Sequence, residues 1–239
     1  MNYQMNNQYQ TTTAPQSLWK ERVDTRSQFI TKVYIHLFAA IMAFVGVETI
    51  LFTTGLAEPI AKALLSISWF VPLGLFMVVS WIASRTAASA KSLPAQYLAL
   101  AAYVVGEAII FVPLLYIAAY YIEEPNVIAN AAVVTMLGFG VLTLIVFITR
   151  KDFSFLRTVI TWGGICALAL IAVSIFTGMS LGPIFSIAMI ALAGGAILYD
   201  TSNILHRYPD DRFVAASLQL FGSVALMFWY VLMLFMNRR

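Results

Sequence analysis

With 61% of its 239 residues hydrophobic and only 10% charged, the chain carries more apolar surface than one water-soluble core can bury, since a soluble domain has about 25% charged residues. The net charge of +3 contains no basic stripe with interleaved aromatics, so nothing points to a nucleic-acid partner, and the lone Cys166 offers neither a disulfide framework nor a thiolate metal site. These numbers define a polytopic membrane protein, with the lipid bilayer as its first partner.

In chain order, residues 1–28 are polar and rich in Asn, Gln and Thr. They hold no apolar stretch of the kind a cleaved signal needs, and are expected to form a disordered cytoplasmic tail. Seven apolar segments follow, at roughly 29–54, 67–84, 95–121, 127–149, 157–178, 181–205 and 213–236. Each approaches or exceeds the ~20 residues a helix needs to cross the hydrocarbon core. Backbone groups in lipid must be satisfied within their own segment, so these are helices rather than strands. The expected fold is an all-α integral membrane protein, with 29–239 forming one domain of seven transmembrane helices. The connections are short and polar: SRTAASAKS, EEPN, RKDFSF and HRYPDDR. Pro72 and Pro113 are expected to kink the second and third segments and Pro183 to open the sixth. The pairs Gly163–Gly164 and Gly194–Gly195 read as close helix contacts.

The orientation follows from Lys and Arg. A cytoplasmic N-terminus puts Lys20, Arg22, Arg26, Lys32, Arg85, Lys91, Arg150, Lys151, Arg157, Arg207 and Arg212 inside, and Lys62, Arg238 and Arg239 outside. The compact loops fit a bacterial inner membrane. One discord is that seven spans leave the Arg238–Arg239 end outside; a re-entrant last segment would return it to the cytoplasm.

Few ionisable residues lie within the segments: His36, Glu48, Arg85, Glu107 and Asp200. Such groups are expensive in lipid and mark functional sites by default. Counted along the helices, Glu48 lies toward the outer side, Glu107 near the middle and Asp200 toward the inner side. If they face one interior, they could line a cation path for calcium or protons. Arg85 ends the second segment near the level of Asp200, so an Asp200–Arg85 ion pair could close the inner mouth. The alternative is structural: a membrane acid often serves as a hydrogen-bond partner between helices. His36 is read as a packed or interfacial histidine and His206 as a solvated loop residue.

Enzymatic readings fail one by one. Asp200 is the only aspartate in any segment, so the dyad of an intramembrane aspartyl protease is absent. Ser174, Ser186 and Ser223 do not lie in a Gly-x-Ser-x-Gly setting. The last segment has no Lys for a retinal Schiff base, and two histidines and one cysteine do not cluster into a zinc site. The expectation is a protein without catalytic residues, metal or cofactor.

The stretch Ala196-Ile-Leu-Tyr-Asp-Thr-Ser-Asn-Ile-Leu205 resembles the signature of the Bax inhibitor-1 family, also called the transmembrane Bax inhibitor motif family. Thr31-Lys-Val-Tyr-Ile-His-Leu37, Arg150-Lys-Asp-Phe-Ser-Phe-Leu156 and Glu107 in Val-Gly-Glu-Ala are also similar. The resemblance implies six helices around a central C-terminal one, and a pH-sensitive calcium leak in which two aspartates from the last two helices are latched by an arginine. Asp200 matches the first aspartate and Arg85 the arginine. Aligning Ala216-Ser-Leu218 with the family motif puts Phe221, or its neighbour Gly222, at the second position, and the last segment has no acid. Some bacterial relatives that also lack this acid are linked to modulation of a membrane-bound protease. Two readings follow: a cation leak gated at Asp200, or a non-conducting regulator of a membrane protease or another bilayer partner.

Overall fold

The computed structural model describes residues 16–66, 92–179 and 181–237, with side chains from Asp24 onward. The described residues form seven helices: α1 Gln16–Thr53, α2 Ala57–Ser66, α3 Leu93–Tyr120, α4 Val127–Thr149, α5 Leu156–Thr177, α6 Gly182–His206 and α7 Phe213–Met236. All except the short α2 are long and apolar enough to cross a bilayer. The protein is therefore an all-α membrane protein. The second apolar segment, 67–84, with Pro72 and Arg85, lies outside the described residues, as do residues 1–15 and the Arg238–Arg239 end.

Two boundaries differ from those expected. The helix α1 starts at Gln16 rather than near 29, so 16–28 is not an irregular tail. Hydropathy marks where a helix enters lipid, not where it starts, and Leu18-Trp-Lys-Glu-Arg contains several good helix formers. The helix α2 was not expected at all, because its ten residues are too few and too polar to register as a span. The i,i+4 pair Glu58–Lys62 supports it.

The ends of the helices follow local chemistry. Pro94 and Pro183 sit in the first turns of α3 and α6, where a missing N–H leaves no bond unmade. Gly178 closes α5 at φ +70, a left-handed C-terminal position that suits glycine. The helix α3 continues through Pro113, which is buried; neighbouring helices make such a proline tolerable in a membrane span.

The last helix is the hub. It packs against α1, α3, α4 and α6, and α5 joins the bundle by packing on α6. At 24 residues, α7 is continuous and about 36 Å long at 1.5 Å per residue, long enough to span the bilayer. Leu220, Leu232, Val214 and Ala216 on α7 are fully buried, whereas Ile148, Trp162 and Phe176 on α4 and α5 point outward. Outward apolar faces are what lipid solvates. Small residues permit the close approaches. A Cβ on Gly163 would fall 2.6 Å from Leu192 Cδ1, and one on Gly194 would fall 3.3 Å from Leu142 Cδ1. One glycine of each expected pair thus serves a helix contact.

The two ends of the bundle differ in charge. One carries Arg26, Arg150, Lys151, Arg157, Arg207 and Arg212 with Asp24, Asp152, Asp210 and Asp211, on the first part of α1, the α4–α5 loop, the first turn of α5 and the α6–α7 loop. The opposite end, at α2 and the α3–α4 loop, carries Glu58, Glu123 and Glu124 with Lys62.

Candidate functional site

Asp200 lies in the second-last turn of α6 and is buried. Its two oxygens are taken by neutral donors from α7. Gln219 Nε2 donates to Oδ1 at 2.5 Å, and Ser223 Oγ donates to Oδ2 at 2.5 Å. Gln219 and Ser223 are four residues apart, so they share one face of the helix. The chain of bonds runs on to the basic end, where the Tyr208 hydroxyl donates to Gln219 Oε1 at 2.5 Å. Arg85, expected to latch Asp200, lies outside the described residues, and among the described residues Asp200 has no cationic partner.

The network can run in either direction. A hydroxyl both donates and accepts, and an amide can turn over. With Asp200 ionised, Gln219 and Ser223 both donate to it. With Asp200 protonated, its own O–H can donate to Ser223 Oγ, which can turn its hydrogen to a backbone carbonyl of the preceding turn. Neither state leaves a buried polar group unpaired. The position opposite Asp200 on α7 is therefore filled by Gln219 and Ser223. Phe221, expected near that position, packs instead against Phe44 and Tyr103 at ring-centroid distances of 6.2 Å and 6.0 Å.

Tyr208 caps this network from outside the membrane span. Burial, and then the charge of Asp200, push its phenol above the usual tyrosine value. A raised phenol pKa favours the neutral form in the folded state, so its contribution is complete below about pH 10 and is lost as pH rises beyond it, where unfolded tyrosine ionises. Thermal unfolding in detergent should show the wild type losing more stability than Tyr208→Phe between about pH 9 and pH 11; parallel curves would refute this.

Glu107 sits at the middle of α3 and is buried. The Tyr103 hydroxyl, one turn earlier, bonds its carboxylate. That hydroxyl also rests on α7, since a Cβ on Gly222 would lie 2.7 Å from Tyr103 Oη. Gly222→Ala should therefore push Tyr103 off Glu107. The expected loss is about 1–3 kcal/mol, reduced by the better helix propensity of alanine. Adding Tyr103→Phe, which removes the clashing oxygen, should restore part of it. A Gly222→Ala protein that unfolds at or above the wild-type temperature would refute the contact.

Glu48 is different again. It is 7% exposed, and among the described residues neither of its oxygens has a hydrogen-bond partner. It lines a cavity of about 690 Å³ between α1, α3, α4 and α7, toward the acidic end. The other walls are mostly apolar, with Phe44, Phe52, Phe111, Phe221 and Phe228 among them. Neither Glu107 nor Asp200 lines this cavity. Its aromatic lining is tightly packed: Phe111 meets Phe44 edge-on at 5.1 Å and stacks on Phe228 at 5.7 Å. The three acids, expected to face one interior, are thus not brought together on this cavity.

The basic end is tied together by residues first noticed only for their sign. Arg26 on α1 donates to the carbonyls of Ile204 at 2.5 Å, Leu205 at 3.3 Å and Tyr208 at 2.5 Å, and pairs with Asp210 at 2.7 Å. It thus satisfies carbonyls that the C-terminus of α6 would leave unpaired. The α4–α5 loop is held to α6 by Arg207–Asp152 at 2.7 Å and by the Phe153 N–H donating to Ser202 Oγ at 3.0 Å. The backbone N–H of Ser154, and then Arg207, hold the Asp152 carboxyl below its usual range. His36 bonds Tyr97 across α1 and α3 at 2.7 Å, as a packing histidine does, and His206 Nδ1 lies 3.0 Å from the Ser202 carbonyl one turn back.

An apolar bundle around a buried last helix, with acids held inside it, defines a multi-pass integral membrane protein. A family profile described as "Inhibitor of apoptosis-promoting Bax1" matches residues 26–239, and the chain belongs to this Bax inhibitor-1 family. It is 34% identical over 121 residues to an uncharacterized protein of Pseudomonas aeruginosa, a match covering 48% of this chain and 53% of that one. It is 29% identical over 113 residues to an uncharacterized membrane protein of Vibrio cholerae, covering 46% and 50%. The matches thus span about half the length of these relatives.

Proposed function

We propose that the protein is a passive leak for calcium or protons, held closed in this conformation and gated at Asp200, without a catalytic step. The observation that carries this reading is the two-way network on Asp200. A buried carboxylate whose partners serve its charged and neutral forms alike can change protonation without unfolding its surroundings. The separation of Glu48, Glu107 and Asp200 fits a closed state, in which packed aromatic rings interrupt the row of acids. Protonating Asp200 would weaken its hold on α7, and flux would rise as pH falls. In this reading the basic end faces a bacterial cytoplasm.

A second reading is favoured by a specific observation: the partners of Asp200 on α7 are neutral. Without a paired acid the network could serve only to fasten α6 to α7, in a non-conducting regulator of a membrane protease. Calcium and proton flux into liposomes between about pH 5 and pH 8 tests the choice. A flux that rises toward acid supports the leak. A monodisperse, correctly folded protein that passes neither ion supports the regulator. In a background with Cys166 replaced, cysteines at Asn126 and Asp210 should label from outside and inside respectively; the reverse pattern would invert the orientation.

A further inference from the structure

The cavity beside Glu48 has a composition that the gate does not use. We infer that it is a binding site for an amphiphilic organic ammonium, a molecule with an apolar or aromatic body and a primary amine head. The carboxylate is the first argument. Both oxygens are buried and, among the described residues, without a partner, and buried polar atoms left unpaired are rare enough to require a reason. An ammonium supplies three N–H donors and the opposite charge at once.

The walls are the second argument. A space of about 690 Å³ falls in the range of small-molecule sites, which combine mostly apolar walls with a few placed polar groups. The rings of Phe44, Phe111, Phe221 and Phe228 among the lining give an aromatic body apolar contact.

A divalent metal fits poorly. Calcium takes six to eight oxygens, whereas the polar side chains on this cavity besides Glu48 are Thr49, Thr53 and Asn126. A lipid acyl chain would fill the apolar volume and leave the carboxylate unanswered.

The test is binding, and it does not depend on whether the protein conducts. Protein in phosphatidylcholine nanodiscs is titrated calorimetrically with phenylbutylammonium, and in parallel with phenylbutanol and phenylbutanoate. The expected result is saturable binding of one ammonium per chain, weakened about tenfold or more by Glu48→Gln. The alcohol should bind wild type and variant alike, and more weakly than the ammonium binds the wild type. Thermal unfolding of Glu48→Gln should match or exceed wild type, which shows that the loss of binding is not a loss of fold. Ala132→Leu, which narrows the cavity and spares Glu48, should weaken both amine and alcohol. Absence of saturable ammonium binding, equal binding to Glu48→Gln, or an alcohol as tight as the amine would overturn the assignment; the last would mark the cavity as an acyl-chain slot.

Discussion

Asp200→Asn is expected to leak at every pH, with flux at the alkaline end rising to the level the wild type reaches only in acid. Asparagine keeps the shape of the side chain and loses the titrating proton. The network on α7 can accept it, because an amide oxygen still takes the Gln219 donor and the amide N–H can donate to Ser223 Oγ. Folding should therefore survive. Asp200→Leu should not be so mild, since it leaves the half-buried Gln219 donor without its acceptor, at about 1–3 kcal/mol. Ser223→Ala removes half of the hold on Asp200 and should raise alkaline flux by less. Adding it to Asp200→Asn should change little, because both alter one contact. Reconstituted flux between about pH 5 and pH 8 with unfolding temperatures for each variant separates gate from fold. An Asp200→Asn protein with wild-type flux and pH profile would sink the gate and leave the regulator.

The largest loss of stability is expected at Arg26. Arg26→Met keeps the side-chain stem and removes the donors that reach three carbonyls and Asp210. Bonds from a charged group contribute about 1.5–3 kcal/mol each, but the guanidinium is partly exposed and water can serve some of the freed carbonyls. A net loss of about 2–4 kcal/mol is expected, seen as a lower unfolding temperature in detergent. Amide exchange should quicken first at 204–210. Arg26→Lys should recover little, because one ammonium cannot span a fork of separated acceptors. Unfolding of Arg26→Met at the wild-type temperature, with no local gain in exchange, would refute the tie.

Much of this architecture could be read from the chain. Segment hydropathy located all six long helices described here, and the resemblance implied the central last helix. Asp200 stood out as the single aspartate in the apolar segments. Its partners were harder to see. Gln219 and Ser223 are neutral, and only their placement four residues apart in an otherwise apolar helix hints that they meet something. Arg26 was read for its charge, because acceptors that are backbone carbonyls leave no trace in side-chain identity. The isolation of Glu48 from Glu107 was also invisible. Depth along a helix follows from counting residues, but which rings close between two helices depends on how α1, α3 and α7 pack.

The arginine tie also has a consequence for biogenesis. Arg26 and Ile204 are 178 positions apart, and translation proceeds at about 5–20 residues per second. A nascent chain thus holds a positive charge on its first helix for roughly ten to forty seconds before any of these acceptors exist. During that interval the charge is free to anchor the start of α1 on its own side of the bilayer. It finds its carbonyls only when the sixth long apolar segment of α1 through α7 is about to follow. A chain stalled or truncated before residue 204 would carry an open first helix, which gives membrane quality control a physical difference between unfinished and finished copies.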